Sequence, residues 1–373
     1  MTETRFRSIL LTPAQSEGAR VMSICNACRY CEGYCAVFPA MERRLDFHAA
    51  DLDYLANLCH HCGACYRACQ YAPPHAFAVN VPRALASIRG ESYAHYAWPA
   101  GFGRLYARQG ASMAFALTLA LSIVFFVANA LVGSTATAQA AGFYAVIPHG
   151  VMVTIFGSVF GFSLCAMAVS AWRFWKELPV AAQPGAGRDA FDAILRLRHL
   201  DGGGEGCAQG GEAPGAARRH LHHAVFHGFL LCLASTSVAT LYHYVFGWQA
   251  PYPVLSVPVV LGTVGGVLMT LGAAGLLWMR LRRDPRLGDP RQFPMDVGFV
   301  GLLLWVAVSG LVLLALRETP AMRFWLIAHL AGVLAFFLLM PYSKFVHGIY
   351  RSLAVLKHAR EQRTPNPFGL AEG

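Results

Sequence analysis

The stretches CNACRYCEGYC (Cys25 to Cys35) and CHHCGACYRAC (Cys59 to Cys69) share one cysteine spacing, C-x2-C-x2-C-x3-C, offset by 34 residues. Eight of the chain's 11 cysteines fall in these two runs, which is the arithmetic of metal binding rather than of scattered disulfides. Three closely spaced cysteines can wrap one cubane cluster while the fourth, carried off by the next turn of chain, reaches the other. This crossed pattern predicts Cys25, Cys28, Cys31 and Cys69 on one [4Fe-4S] cluster, and Cys59, Cys62, Cys65 and Cys35 on a second. In small bacterial ferredoxins a proline directly follows the fourth cysteine. Here Pro39 and Pro73 come four residues after it, so the local turn is expected to differ. Zinc is the rival occupant, but zinc motifs usually pair two cysteines with a distant second pair. His60 and His61, inside the second motif, read as exposed loop histidines, with hydrogen bonding to a cluster as the alternative.

The 373-residue chain as a whole is 56% hydrophobic and 13% charged, a composition that points to lipid rather than to a soluble protein. Six apolar stretches follow the cysteine runs: Ser112 to Val132, His149 to Trp172, His223 to Phe246, Val254 to Met279, Val297 to Leu316 and Phe324 to Phe345. Each is near the length needed to cross the hydrocarbon. The net charge of +10 sits mainly between these runs, where it sets topology and does not signal nucleic-acid binding. Arginines crowd the connections Arg173 to His222 and Arg280 to Arg291, whereas Gly133 to Pro148 and Gly247 to Pro253 hold no Lys or Arg. The positive-inside rule then puts the basic loops and both termini in the cytoplasm, in a multi-pass inner-membrane protein. Met1 to Arg20 is polar, without an apolar signal core, which agrees with a cysteine domain in a reducing compartment.

The expected organisation is all-α: residues 1–92 a two-cluster, ferredoxin-like domain, 93–111 an aromatic connector at the headgroups, 112–348 six membrane helices, and 349–373 a cytoplasmic tail. The loop 173–222 contains a Gly-rich piece that reads as a flexible linker. Cys165 and Cys232 lie in apolar runs and read as small buried residues.

Ionisable residues in membrane helices suggest function. His329 and His347 are 18 residues apart, which on one helix is five full turns, a shared face and a separation of about 27 Å. His223 and His243 on the third, oppositely running helix lie level with His347 and His329. Two stacked bis-histidine sites for b-type haem follow, with these four as axial ligands. The 20-residue spacing of His223 and His243 leaves them about 200° out of phase. His220, His222 and His227 are therefore substitutes at one site and His149 at the other.

The run CNACRYCEGYCAVFPAMERR (Cys25 to Arg44), the segment LDGGGEGC (Leu200 to Cys207) and HHAVFHGFLLCLASTSVATLYHYVFGW (His222 to Trp248) resemble the tricarballylate (citrate) utilization protein B family. The resemblance covers nearly the whole chain. It implies a membrane iron-sulfur protein that reoxidises the reduced flavin of a partner FAD-dependent dehydrogenase and delivers electrons to the quinone pool, with no organic substrate site of its own. It also suggests a docking or ordering role for the loop around Cys207. HLAGVLAFFLLMPYSKFVH (His329 to His347) is similar to the last helix of respiratory nitrate reductase gamma-type cytochromes, whose two histidines at this spacing hold haem. Two rivals are a redox-sensing transporter and a heterodisulfide-reductase-like subunit. The first would need intramembrane acids, and the six spans hold almost none apart from Asp296; the second would need further cysteine-rich motifs after Cys69, and none is present.

Overall fold

The computed structural model describes residues 11–133, 142–198 and 214–368, so the segment around Cys207 lies outside the described residues. Every regular element among them is helical. The cysteine domain is built on α1 (Pro13–Cys28), α2 (Val37–Met41), α3 (Ala49–Leu58), α4 (Ala64–Arg67) and α5 (Val81–Tyr96). Helix α1 starts at a capping box, in which the Thr12 side chain and Gln15 satisfy each other's backbone N–H, with Pro13 at the first helical position. Asn80 caps α5 in the same way through the Arg83 N–H. Leu52, Tyr54, Leu55 and Leu58 of α3 are fully buried between α1 and α5, so this short helix is the core of the domain.

Among the described residues six helices are long and apolar enough to cross a membrane. They are α6 (Ala100–Gly133), α7 (His149–Lys176), α9 (Pro214–Phe246), α10 (Val257–Leu281), α11 (Phe293–Leu316) and α12 (Met322–Leu339). Phe115 is 72% exposed and Leu131 70%, an outward apolar surface that suits hydrocarbon and would aggregate in water. Helix α6 begins at Ala100, where Ser112 was expected, and Gln109 marks a kink within it. Half of the predicted connector is thus the root of the first span, and Tyr106 is fully buried there. Cys165 faces outward and Cys232 is only half-buried, in contrast to the expectation of two buried residues. Helices α9 and α10 meet at backbone distance. A Cβ on Gly228 would lie 2.8 Å from the Gly265 carbonyl oxygen, and one on Gly272 would lie 2.7 Å from that of Leu221.

The sixth span stops early. Pro341 lacks an N–H and biases its predecessor away from helical geometry, so α12 ends at Leu339 and the chain turns. Ser343 caps a short 3-10 turn, Lys344–Val346, which leads into α13 (His347–Glu361). The expected tail is therefore a helix built into the cysteine domain, with Tyr350 and Ala354 buried. Glu361 fastens its end by accepting from Arg44 at 2.6 Å and from the Tyr54 hydroxyl at 2.9 Å. The remaining helix, α8 (Ala186–Leu195), packs on α13, with Arg363 bonded to Asp189. At the root of the bundle Asp296 accepts from Arg280 at 2.7 Å and from Lys344 at 2.6 Å, tying α10, α11 and the 3-10 turn together. The loop between α10 and α11 lies on α5, where Gln292 donates to the Ala86 carbonyl and Asn80 to that of Arg286.

Two outcomes are expected. Glu361→Ala strands Lys357 and half of Arg44's pairing, at a cost of about 3 kcal/mol, as for a broken buried pair. It should lower the thermal midpoint in detergent and open residues 347–368 to protease. The second outcome concerns Asp53, which is buried beneath the Tyr96 hydroxyl (2.9 Å) and Gln15 (3.2 Å). Burial raises its carboxyl to about 6 from 3.8. The folded state therefore holds this proton to higher pH than the unfolded chain. The stability it brings is complete below about pH 4 and is lost as pH rises through about 6. Asp53→Asn should flatten that part of the stability profile relative to the parent, read by thermal unfolding between pH 4 and 7.

Candidate metal centres and their membrane-side neighbours

Cys25 and Cys28 stand one turn apart at the end of α1, which Arg29 terminates in the left-handed region (φ 54°). Cys31 and Cys35 bracket a single 3-10 turn. In the second run Cys59 ends α3, His61 (φ 56°) and Gly63 (φ 85°) reverse the chain, and Cys65 sits on α4. These left-handed turns curl each run around a recess. Cys25, Cys28, Cys31 and Cys69 line one recess of about 360 Å³, counting its open mouth, together with Tyr30, Gln70 and Tyr71. Cys35, Cys59, Cys62 and Cys65 line the other, of about 380 Å³. Phe38 is a wall common to both.

The donor chemistry fits a cluster better than a single ion. Zinc would draw four sulfurs to about 2.3 Å from one point. Among the described residues no three His, Cys, Asp or Glu side chains are gathered to hold one ion. The sulfurs ring a larger opening. Burial and the neighbouring thiols Cys69, Cys31 and Cys28 push Cys25 up to about 12, and burial pushes Cys35 and Cys65 well above the ordinary range. Four thiolates can share such a recess only around compensating cationic metal. The His61 N–H donates to the Cys59 Sγ at 3.3 Å, a bond that favours the thiolate.

The second run is enclosed by arginines from four parts of the chain. Arg89 of α5 (3.0 Å) and Arg351 of α13 (2.5 Å) both donate to the Cys59 carbonyl. Arg218 of α9 donates to the carbonyls of His60 (3.0 Å) and His61 (3.2 Å). Arg283, from the α10–α11 loop, donates to the His61 carbonyl at 2.5 Å and to its Nδ1 at 3.1 Å. Because guanidinium only donates, His61 Nδ1 is the acceptor and Nε2–H donates to the Leu287 carbonyl (2.5 Å). Burial and Arg283 hold His61 well below the ordinary histidine range, so it is neutral. His60 is buried as well. Neither is the exposed loop residue expected from sequence; they form the joint between the cysteine domain and the membrane helices. Arg218 and Arg283 were legible only as topology signals, Arg351 only as part of a tail, and Arg89 only as a residue of the cysteine domain.

The membrane histidines pair differently from the expectation. His347 heads α13, and His329 lies on α12, so the five-turn argument that placed them on one face does not hold; Pro341 is the reason. His222, not His223, meets His347, with ring centroids 5.9 Å apart. Leu221 is seated against Gly272 and Gly275 of α10, and the next residue, 100° further round, therefore faces α13. His223 instead stacks on His227. At the far end His243 stacks on His149 at 3.9 Å, while His329 Nδ1 lies 3.0 Å from the Ser309 hydroxyl.

Among the described residues, the His222–His347 pair has the geometry that two axial ligands would need. His347 Nδ1–H donates to the Lys344 carbonyl (2.5 Å), leaving Nε2 as the ligating nitrogen, and burial keeps the ring neutral. His222 Nδ1 is buried without a hydrogen-bond partner. The parallel His149–His243 stack leaves no space between its rings for a porphyrin. Each histidine of the near pair is one helical turn from a collar arginine: Arg218 precedes His222 by four residues, and Arg351 follows His347 by four.

Comparison with known proteins agrees with this two-part architecture. Residues 107–368 match the family model described as Citrate utilization protein B, and residues 18–95 match its Fer4-like domain. A curated Citrate utilization protein B from Escherichia coli is 50% identical over 365 residues, covering 97% of this chain and 96% of its own. No solved structure matches. The chain belongs to the citrate utilization protein B family.

Proposed function

We propose that this protein carries electrons from a reduced flavoprotein, an FAD-dependent dehydrogenase of tricarballylate or citrate utilisation, to the quinone pool. On this reading Cys25, Cys28, Cys31 and Cys69 hold one [4Fe-4S] cluster, Cys35, Cys59, Cys62 and Cys65 hold a second, and His222 and His347 hold a b-type haem. Bound, these groups supply reversible one-electron oxidation and reduction. The basic loops and both ends face the cytoplasm of an inner-membrane protein, by the positive-inside rule.

The observation that carries the reading is the linkage of the second cysteine recess to the histidine pair. Arg351 reaches from the Cys59 carbonyl to within one turn of His347, and Arg218 from the His60 carbonyl to within one turn of His222. Four residues of helix rise about 6 Å. The chain's own groups thereby hold a soluble-domain site and a membrane-domain site side by side. Lys344, fixed by Asp296, orients the His347 ring through its carbonyl. A flavin hydroquinone releases two electrons and each cluster accepts one, so a two-cluster relay suits such a donor. The Fer4-like match and the name of the relative support the iron-sulfur part and its place in citrate utilisation.

Two measurements test this. The purified protein should hold about eight irons with matching acid-labile sulfide. His222→Ala and His347→Ala should each abolish the reduced haem bands while leaving iron and sulfide unchanged, and His223→Ala should keep the bands; haem retained in both of the first two variants defeats the assignment. In the cubane EPR signals, Cys69→Ser should disturb the same signal as Cys28→Ser, and Cys35→Ser the same signal as Cys62→Ser. The opposite grouping would mean that each run binds its own cluster.

A further inference from the structure

The two cysteine recesses differ in charge as much as in position. Among the described residues, Arg89, Arg218, Arg283 and Arg351 bond to backbone carbonyls and to His61, and none pairs with a carboxylate. Lys344 stands near them, and the one acid in their midst, Asp296, is already engaged by Lys344 and Arg280. Four guanidinium groups so placed put a positive field around Cys59 and Cys62 that no carboxylate among the described residues pairs with.

The first recess has a sparser setting, with Arg29 as its lining arginine. Gln70 reaches the Cys28 sulfur at 3.9 Å, and Arg29 is turned back onto the Asn26 carbonyl. Beyond Phe38, the wall common to both recesses, lies Glu42, a buried carboxyl with Glu32 and Arg29 as its charged neighbours. Tyr30, at its mouth, is 65% exposed, so this recess opens to solvent. The second has the membrane side at its back, where Arg218 and Arg283 bond the His60 and His61 carbonyls and Leu287 lies against Gly63.

We propose that the arginine collar orders the relay: the cluster on Cys35, Cys59, Cys62 and Cys65 has the higher reduction potential, and the solvent-facing cluster on Cys25, Cys28, Cys31 and Cys69 receives electrons first. The inference rests on the function proposed above and adds its direction. Accepting an electron makes a thiolate-ligated cluster more negative, and nearby fixed cations stabilise that state while nearby carboxylates oppose it. Net charge, hydrogen bonding and exposure are the established levers on cluster potential. The balance is simple: one electron leaves the reduced first cluster and reduces the second, with no bond made or broken. The reduced flavin replaces it at the solvent side.

The test is an EPR-monitored redox titration of the full-length holoprotein in detergent. Two cubane signals with separated midpoints are expected. Arg351→Gln should lower the midpoint of the higher-potential signal so that the electron-sharing constant between the clusters falls about tenfold, or about 59 mV for one electron. The lower-potential signal should stay in place. Arg351→Lys, which keeps the charge, should retain most of the parental midpoint, an outcome that a purely structural role for the arginine does not give. Arg283→Gln provides the same reading should Arg351→Gln fail to assemble. A shift of the lower-potential signal instead, or two unmoved midpoints, overturns the proposed order while leaving the clusters in place. Absence of cubane signals and of labile sulfide in the parent protein would overturn the underlying function as well.

Discussion

The carbonyl of Cys59, with those of His60 and His61 beside it, is where the molecule is held together. Three consecutive carbonyls, freed from α3 by the left-handed turn at His61, would be costly to bury without donors. Arg89, Arg218, Arg283 and Arg351 supply them from α5, α9, the α10–α11 loop and α13. No other part of the described chain is approached from so many directions. Without this joint the cysteine domain would be tied to the bundle through α13, Asn80, Gln292 and the end of α5, where Tyr96 donates to Glu177 and packs on Phe174 and Arg173 donates to the Ala97 carbonyl.

That constraint explains features that look unrelated. Helix α12 has to stop at Pro341 so that α13 can turn back and present Arg351 to Cys59 while Glu361 closes on Arg44 and Tyr54. Helix α9 has to lie against the glycines of α10 so that Leu221 faces inward, which aims Arg218 at the cysteine loop and His222 at His347. The Asp296 triad fixes Lys344, and with it the carbonyl that orients His347. Geometry at the histidine pair and geometry at the second cysteine recess are therefore set by the same contacts.

Much of this could be read from the residues. The doubled cysteine spacing and six apolar runs foretold an all-helical membrane protein with a Fer4-like domain. What misled was a numerical coincidence: 18 residues between His329 and His347 is five turns only if the helix is unbroken, and MPYS at Met340 to Ser343 was the visible sign that it is not. The choice between His222 and His223 needed the facing partner, because one residue is 100° of rotation and only the glycine contacts on α10 decide which side faces inward. The collar was hidden for a different reason. Arginines next to apolar runs are expected at every membrane surface, so their convergence is visible only in three dimensions.

Charge complementarity makes the two halves depend on one another. A recess of buried thiols resists ionisation, as the upward displacement of Cys35 and Cys65 records, and burial, with repulsion from neighbouring guanidiniums second, pushes Arg283 and Arg351 down to about 10. Each arrangement is unfavourable alone. Thiolates that carry a net negative charge around iron relieve both, since the anion favours the arginines and the arginines favour the anion. On the proposed function, assembly of that site and contact between the two domains depend on the same four side chains.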